Sequence, residues 1–216
     1  MNTRIIPSRL LSVGGAALVV ALAAPACSSF LTKQSASSYL IIDQLLASTG
    51  REPDKLTGNL ASDVLTYVKK DDGSGRQVLV PTIFVDNLVA TFSLGMKDPG
   101  GTTTPNAPSA TNFITITRYH VQFIRSDGRN TEGVDVPFAF DGAVTMTVGQ
   151  SAGKMTVTLV RAQAKAEAPL KALVGGFGSS LSTIAEVTFY GKDQTGRDVM
   201  VVGKISVNFS DWGDPT

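Results

Sequence analysis

Apolar and polar residues alternate with a period of two along most of the chain after Asp63, and this alternation constrains the fold more than any other feature. Successive side chains of a β-strand point to opposite faces, so the pattern predicts strands with one face in a core and the other in solvent. The clearest run places the following residues on one face: Val134, Val136, Phe138, Phe140, Val144, Met146 and Val148. The turn DQTG, flanked by two further alternating runs, predicts a C-terminal hairpin.

The number and spacing of these runs predict a mainly β chain, with about seven or eight strands, few helices and no repeated strand–helix unit. We therefore expect an antiparallel β-sandwich, immunoglobulin-like in architecture, with one or two short helices. A closed barrel is the alternative. Besides the runs above, strands are predicted at 64–68, 77–96, 113–123 and 154–161, and a long exposed loop at 97–111.

Two segments predict helices instead. In SSYLIIDQLLAST, the apolar residues fall near one helical face, which predicts a short amphipathic helix at about 38–48. The segment AQAKAEAPLKAL, residues 162–173, has a helix-forming composition interrupted by Pro169. We expect it to carry the chain from one sheet to another.

The N-terminal segment has the order of a secretory signal: positive charges at Arg4 and Arg9, then an uncharged apolar stretch from Leu10, then small residues. The string Ala24-Pro25-Ala26-Cys27 follows. It resembles the lipobox of bacterial lipoproteins, in which the cysteine receives a lipid and becomes the mature N-terminus. The resemblance covers about the first 29 residues. It implies lipidation of Cys27, and Ser28 after it favours the outer membrane.

The cysteine content agrees with that reading, because Cys27 is the only cysteine of the chain. A single thiol cannot form an internal disulfide, and in an exported protein a free thiol is prone to oxidation or unwanted pairing. Lipid on Cys27 would remove that hazard. The expected organisation is a signal peptide at 1–26, a tether at 27–37 and one β-sandwich domain at 38–216. A soluble exported protein without the lipid remains the alternative.

Composition argues against several kinds of chemistry. The formal net charge is +1 and the basic residues are dispersed, so no nucleic-acid partner is expected. One histidine and one cysteine cannot build a conventional metal cluster, and no cofactor motif occurs. His120 lies in a predicted strand without a nucleophile motif, and Ser151-Ala152-Gly153-Lys154 reads as a turn. No catalytic residue is therefore expected.

Carboxylates offer the remaining route to an enzyme, because paired acids can catalyse hydrolysis across a cleft. Asp71, Asp72 and Asp193 lie in predicted turns, where aspartate is common because its side chain bonds the local backbone. An exported hydrolase that uses loop carboxylates is therefore the alternative function.

Three aromatic residues with polar tips, Tyr119, Tyr190 and Trp212, form a candidate binding surface. The expected function is that of a non-enzymatic lipoprotein of the cell envelope, a structural or binding module. Its expected partners are the membrane, through the N-terminal lipid, and an envelope protein or a glycan.

Overall fold

The computed structural model describes residues 36–176 and 178–213, over which the chain is mainly β, as predicted. The predicted signal, Cys27 and the tether up to residue 35 lie outside these residues. The strands are β1 (Ser38–Ser48), β2 (Asn59–Asp63), β3 (Thr66–Asp71), β4 (Gln77–Thr82), β5 (Asp86–Met96), β6 (Ile114–Ile124), β7 (Phe140–Val148), β8 (Gly153–Val160), β9 (Ser180–Asp193) and β10 (Asp198–Ser210). The helix α1 spans Ala162–Ala166, and 3-10 turns span Ala110–Asn112 and Leu170–Leu173.

The strands form sheets of three sizes. A three-stranded antiparallel sheet has the order β1-β5-β8, a five-stranded sheet has the order β2-β10-β9-β6-β7, and β3 pairs with β4 as a hairpin. The five-stranded sheet is mixed. Strand β2 runs parallel to β10, while the pairs β10–β9, β9–β6 and β6–β7 are antiparallel. The architecture is therefore antiparallel for the most part, with one parallel pair that the alternation did not predict.

The two larger sheets contribute to a shared apolar core. Phe92 of β5 meets Phe189 of β9 edge to face, with ring centroids 4.8 Å apart. Ile42 and Leu45 of β1 lie over Gly203 of β10, where an added Cβ would come within 2.6 Å of Leu45. Full burial of a side chain such as Phe92 or Phe189 contributes about 1.5–3 kcal/mol. Ala36, assigned to the tether from sequence, is buried in this core and belongs to the folded unit.

The helix predicted at about 38–48 is wrong, because these residues form β1, which pairs with β5. The register shifts between Ile42 and Gln44, so Asp43 is an extra residue in the strand. Leu40 and Ala47 are both buried although they differ in parity. A bulge of this kind changes which parity faces the core. The resulting spacing of apolar residues imitates a helical face.

A second bulge lies in β6, where the register shifts between Ile116 and Arg118 on both neighbouring strands. Before it Ile114 and Ile116 are buried, and after it Tyr119, Val121 and Phe123 are buried. The strand itself is as predicted at 113–123. Simple alternation would put these two groups on opposite faces of the strand, and the bulge at Thr117 lets both face the core.

The alternating run at 134–148 becomes a strand only from Phe140 onward. Val134 and Phe138 are 68% and 47% exposed, although they share the parity of buried residues. Gly133 has a φ of 74° and starts a local turn closed by a hydrogen bond to the Val136 carbonyl. Pro137 lacks the N–H that a strand ladder needs. Because of the turn at Gly133 and of Pro137, strand β7 begins only at Phe140.

The remaining connections follow the predictions with small shifts. The predicted strand at 64–68 is observed as β3 from Thr66, and the run at 77–96 is divided into β4 and β5. The segment after β8 crosses from the three-stranded to the five-stranded sheet through α1, as predicted. The turn that holds Ser151 also joins two sheets, because β7 and β8 do not pair with each other.

Candidate functional site

A cavity of about 260 Å³ opens where the end of β2, the start of β5, α1 and the segment after β10 meet. We call it the Trp212 cavity. Its lining includes the following charged and aromatic side chains: Arg51, Glu52, Asp63, Phe84, Asp86, Lys165 and Trp212. Such a concave site with a few convergent polar groups is the usual form of a ligand pocket.

A buried ion pair lies in the wall of the cavity. Lys165 Nζ is 2.8 Å from Asp86 Oδ2, and the side chains are 1% and 0% exposed. Asp86 also accepts a hydrogen bond from Ser62 Oγ at 2.6 Å and one from the Gly50 N–H at 3.3 Å. Burial raises the pKa of Asp86 above its ordinary value, while the charge and hydrogen bond of Lys165 act in the opposite direction.

The chain brings this pair together through the crossover after β8. Asp86, the first residue of β5, lies opposite Val160, the last residue of β8. The chain then turns into α1, and Lys165 near its end reaches back to Asp86. Because Ser62 belongs to β2, the carboxylate joins both larger sheets and the crossover at one point.

Trp212 is held at the cavity by both of its nitrogen atoms. Its backbone N–H donates to Asp63 Oδ1 at 3.1 Å, and its indole Nε1 donates to the Ser62 carbonyl at 3.2 Å. Asp63 Oδ2 accepts a further bond from Thr66 Oγ1 at 2.6 Å. The parallel pairing of β10 with β2 sets Ser210 opposite Asp63 and so delivers Trp212 to this place. The residue remains 42% exposed.

Tyr119 is not at the surface. It is 6% exposed and lies directly over Gly142 of the neighbouring strand, where an added Cβ would come within 2.2 Å of its ring. Its ring also contacts Phe140 and Phe189, with centroids 6.2 and 6.4 Å away. The bulge at Thr117 places Tyr119 on the core side of β6. It therefore cannot belong to the proposed binding surface.

Tyr190 lies on the outer face of the five-stranded sheet, away from Trp212. The Arg118 guanidinium stacks on its ring, 4.0 Å from the centroid, and Arg118 also pairs with Asp141 at 3.2 Å. His120 is half-buried, and its Nδ1 lies 3.3 Å from the same carboxylate. Tyr190 and Met200 line a separate depression of about 460 Å³. The expected aromatic surface is thus divided among three places.

The turn aspartates act as the sequence predicted. Asp71 Oδ1 accepts bonds from the Gly73 and Gly75 N–H groups, and Asp193 Oδ1 accepts bonds from the Thr195 and Arg197 N–H groups. Burial alone would raise the pKa of Asp193, but these bonds outweigh it and the pKa lies below its ordinary value. These carboxylates serve local turns.

Asp72 serves the same turn as Asp71. Its Oδ1 accepts a hydrogen bond from Ser74 Oγ, which lowers the pKa of Asp72. Within 36–176 and 178–213, no group of three or more His, Cys, Asp or Glu side chains is placed to hold a metal ion.

Sequence reasoning missed Asp86 and Lys165. The available signal was a lone charge inside an otherwise apolar stretch: Asp86 within PTIFVDNLVATF, and Lys165 within the alanine-rich crossover helix. Charged residues are rarely fully buried unless they are paired. Two such charges of opposite sign in core-forming segments are candidates for one buried pair, although the pairing itself is not readable from the sequence.

Comparisons with known proteins gave no match: no protein-family profile fits the chain, and neither the curated proteins nor the solved structures contain a significant relative. Among the helices that the structure describes, none is long and apolar enough to cross a membrane.

Proposed function

We propose that this chain is an exported, non-enzymatic binding module of the cell envelope, anchored by lipid on Cys27, and that the Trp212 cavity is its ligand site. We further propose that the two larger sheets act as an immunoglobulin-like sandwich that holds the cavity rigid. The observation that carries the proposal is a fixed polar wall, Asp86 with Lys165, next to a fixed aromatic ring, Trp212, in one cavity.

Rigid placement supports a role in recognition. A binding site gains affinity when its groups need not be ordered by the ligand. Lys165 and Asp86 are held by each other, and Asp86 is held in addition by Ser62 and Gly50. Trp212 is fixed at its backbone and at its indole nitrogen. A ligand that enters the cavity meets groups that already have their final positions.

The state of the carboxylates supports a non-enzymatic role. A general base must be able to take a proton from the reacting group. Both oxygens of Asp86 accept hydrogen bonds from the protein, and so do both oxygens of Asp63. Glu52 pairs with Lys55 at 3.2 Å. Each acid of this cavity is therefore already engaged by a partner within the protein, which favours binding over hydrolysis.

Export and anchoring are supported by the charged, apolar and small-residue order before Cys27 and by the lack of a second cysteine in the chain. The test is incorporation of labelled palmitate in a bacterial host. We expect label in the wild type, none in Cys27→Ala, and unchanged label in Ser28→Ala as the matched control. A wild type that carries no label refutes the anchor, and release into the medium would then support the soluble alternative.

Ligand binding is tested through Trp212, the only tryptophan of the chain. Its emission therefore reports on the cavity without added probes. The detergent-purified protein is mixed with small-molecule fractions of an envelope extract, and emission and unfolding temperature are recorded. We expect one fraction to shift the emission and to raise the unfolding temperature, since a ligand at about 100 times its Kd stabilises by about 2.7 kcal/mol.

The controls separate the cavity from other surfaces. Ala61 lines the cavity and is exposed, so Ala61→Leu narrows the cavity while the fold tolerates it. This variant is expected to lose the response. Tyr190→Ala changes the separate depression on the outer sheet face, and this variant is expected to keep the response to the ligand. A response that survives Ala61→Leu, or its absence with every fraction, contradicts the assignment of the site.

A further inference from the structure

Lys165 offers hydrogen-bond donors to the cavity. A lysine ammonium has three N–H donors and accepts nothing. Among the described residues, the acceptor bonded to Lys165 Nζ is Asp86 Oδ2, at 2.8 Å. The side chain is 1% exposed and belongs to the cavity wall. Buried donors of this kind call for an acceptor from water or from a ligand.

The charge of the cavity decides what kind of acceptor fits. Its wall carries two cationic side chains, Arg51 and Lys165, and three anionic ones, Glu52, Asp63 and Asp86. Glu52 pairs with Lys55 Nζ at 3.2 Å, so with Lys55 included the charges balance at three of each sign. No net positive charge is then left to offset the cost of removing an anionic ligand from water. The acceptor that suits Lys165 is therefore a neutral oxygen, such as a hydroxyl or an amide carbonyl.

The ring of Trp212 indicates the shape of the ligand that the cavity accepts. Its indole and backbone N–H groups are used by Ser62 and Asp63, so the face of the ring is what remains for recognition. The face of an aromatic ring carries negative charge, which attracts the weakly positive C–H groups of an apolar ring face. A pyranose ring presents such C–H groups on its face and hydroxyl oxygens at its edge. One molecule thereby satisfies both Trp212 and Lys165.

From these three observations we infer that the Trp212 cavity binds a neutral saccharide, with one sugar ring stacked on Trp212 and one hydroxyl oxygen accepting a hydrogen bond from Lys165. This inference rests on the proposed function, whose ligand class it names. The volume of about 260 Å³ lies below the usual 300–1,000 Å³ of pockets for larger ligands, so it suits a single sugar ring. Further units of a glycan would extend into solvent.

The test is a titration of the detergent-purified protein with glucose, N-acetylglucosamine and their short oligomers, followed by Trp212 emission. Glucuronate serves as the matched anionic probe because it has the same ring with a carboxylate. We expect saturable binding of at least one neutral sugar and binding of glucuronate weaker by about tenfold or more. Equal or tighter binding of glucuronate overturns the inference.

Variants then locate the sugar, with binding followed by calorimetry because one of them removes the fluorophore. Trp212→Ala is expected to weaken binding about tenfold or more, and Tyr190→Ala to leave it unchanged. The double variant Asp86→Asn/Lys165→Met removes the donor while the charges stay balanced, and is expected to weaken binding by a similar factor. Unchanged binding in either cavity variant overturns the inference.

The two proposals fail in different ways. If no sugar binds but an envelope fraction still gives a response that Ala61→Leu abolishes, the saccharide inference is wrong and the cavity remains the ligand site. If the sugars and every envelope fraction leave Trp212 unaffected, both are wrong.

Discussion

Replacing Lys165 by methionine tests the energetics of the buried pair most directly. The substitution keeps the length of the apolar stem and removes the charge, which leaves Asp86 fully buried without its counter-ion, now 2.8 Å away. Breaking a buried pair from one side costs about 3–5 kcal/mol. For a chain of this length that corresponds to a loss of about 6–20 °C in Tm. Because domains are stable by only about 5–15 kcal/mol, the effect is large.

The double variant Asp86→Asn/Lys165→Met measures the interaction energy between the two side chains apart from their other contacts. Asparagine keeps one acceptor oxygen, which can serve the Gly50 N–H, and its NH2 can donate to Ser62 Oγ, a hydroxyl that accepts as well as donates. With no charge left to bury, the double variant is expected to recover at least about half of the loss, which gives a coupling energy of about 3 kcal/mol or more. Urea unfolding followed by circular dichroism measures Lys165→Met, Asp86→Asn and the double variant, with Trp212 emission as a second probe.

The dependence on pH supplies an independent check. The pKa of Asp86 is raised in the folded state, so the native protein holds this proton at a higher pH than the unfolded chain does. Ionisation of Asp86 therefore lowers stability as the pH rises above its ordinary value of 3.8. Without Lys165, whose charge favours the ionised carboxylate, ionisation of Asp86 lowers the stability further. The deficit of Lys165→Met is expected to shrink as the pH falls from neutrality towards 3.8.

The reasoning is refuted if Lys165→Met costs less than about 1 kcal/mol, the scale of an exposed pair. It is also refuted if the double variant loses the sum of the single losses, or if the deficit is the same at every pH.

Two further substitutions test the fold. Gly142→Ala is expected to lower stability by about 1–3 kcal/mol, because its Cβ would lie 2.2 Å from the Tyr119 ring. Gly58→Ala, which meets nothing within 4 Å, is the control, and an equal urea midpoint for the two variants would contradict the packing. Asp193→Ala removes the acceptor of the last hairpin turn and is expected to cost about 1–3 kcal/mol at neutral pH. Since the folded pKa of Asp193 lies below 3.8, its stabilisation is present above that pH and is lost below it, so thermal unfolding should show the two proteins converging in acid.

The amino-acid sequence alone determined most of the strands. Where a strand is regular, as in β8 and in the hairpin of β9 and β10, alternation located it to within a few residues. The turn aspartates were also predictable, since Asp71 and Asp193 bond backbone groups only a few positions away. All of these depend on local geometry, which a sequence displays directly.

The tertiary structure decided whatever depends on a partner strand. Asp43 and Thr117 become bulges because β1 and β6 must follow the registers of their neighbours, and each bulge reverses the face that is buried beyond it. This is why β1 resembled a helix and why Tyr119 lies in the core. The Trp212 cavity depends in the same way on the parallel pairing of β2 with β10 and on the meeting of Asp86 with Lys165. A bulge and a buried charge pair are stabilised by contacts between segments far apart in the chain, and those contacts exist only once the sheets have packed together.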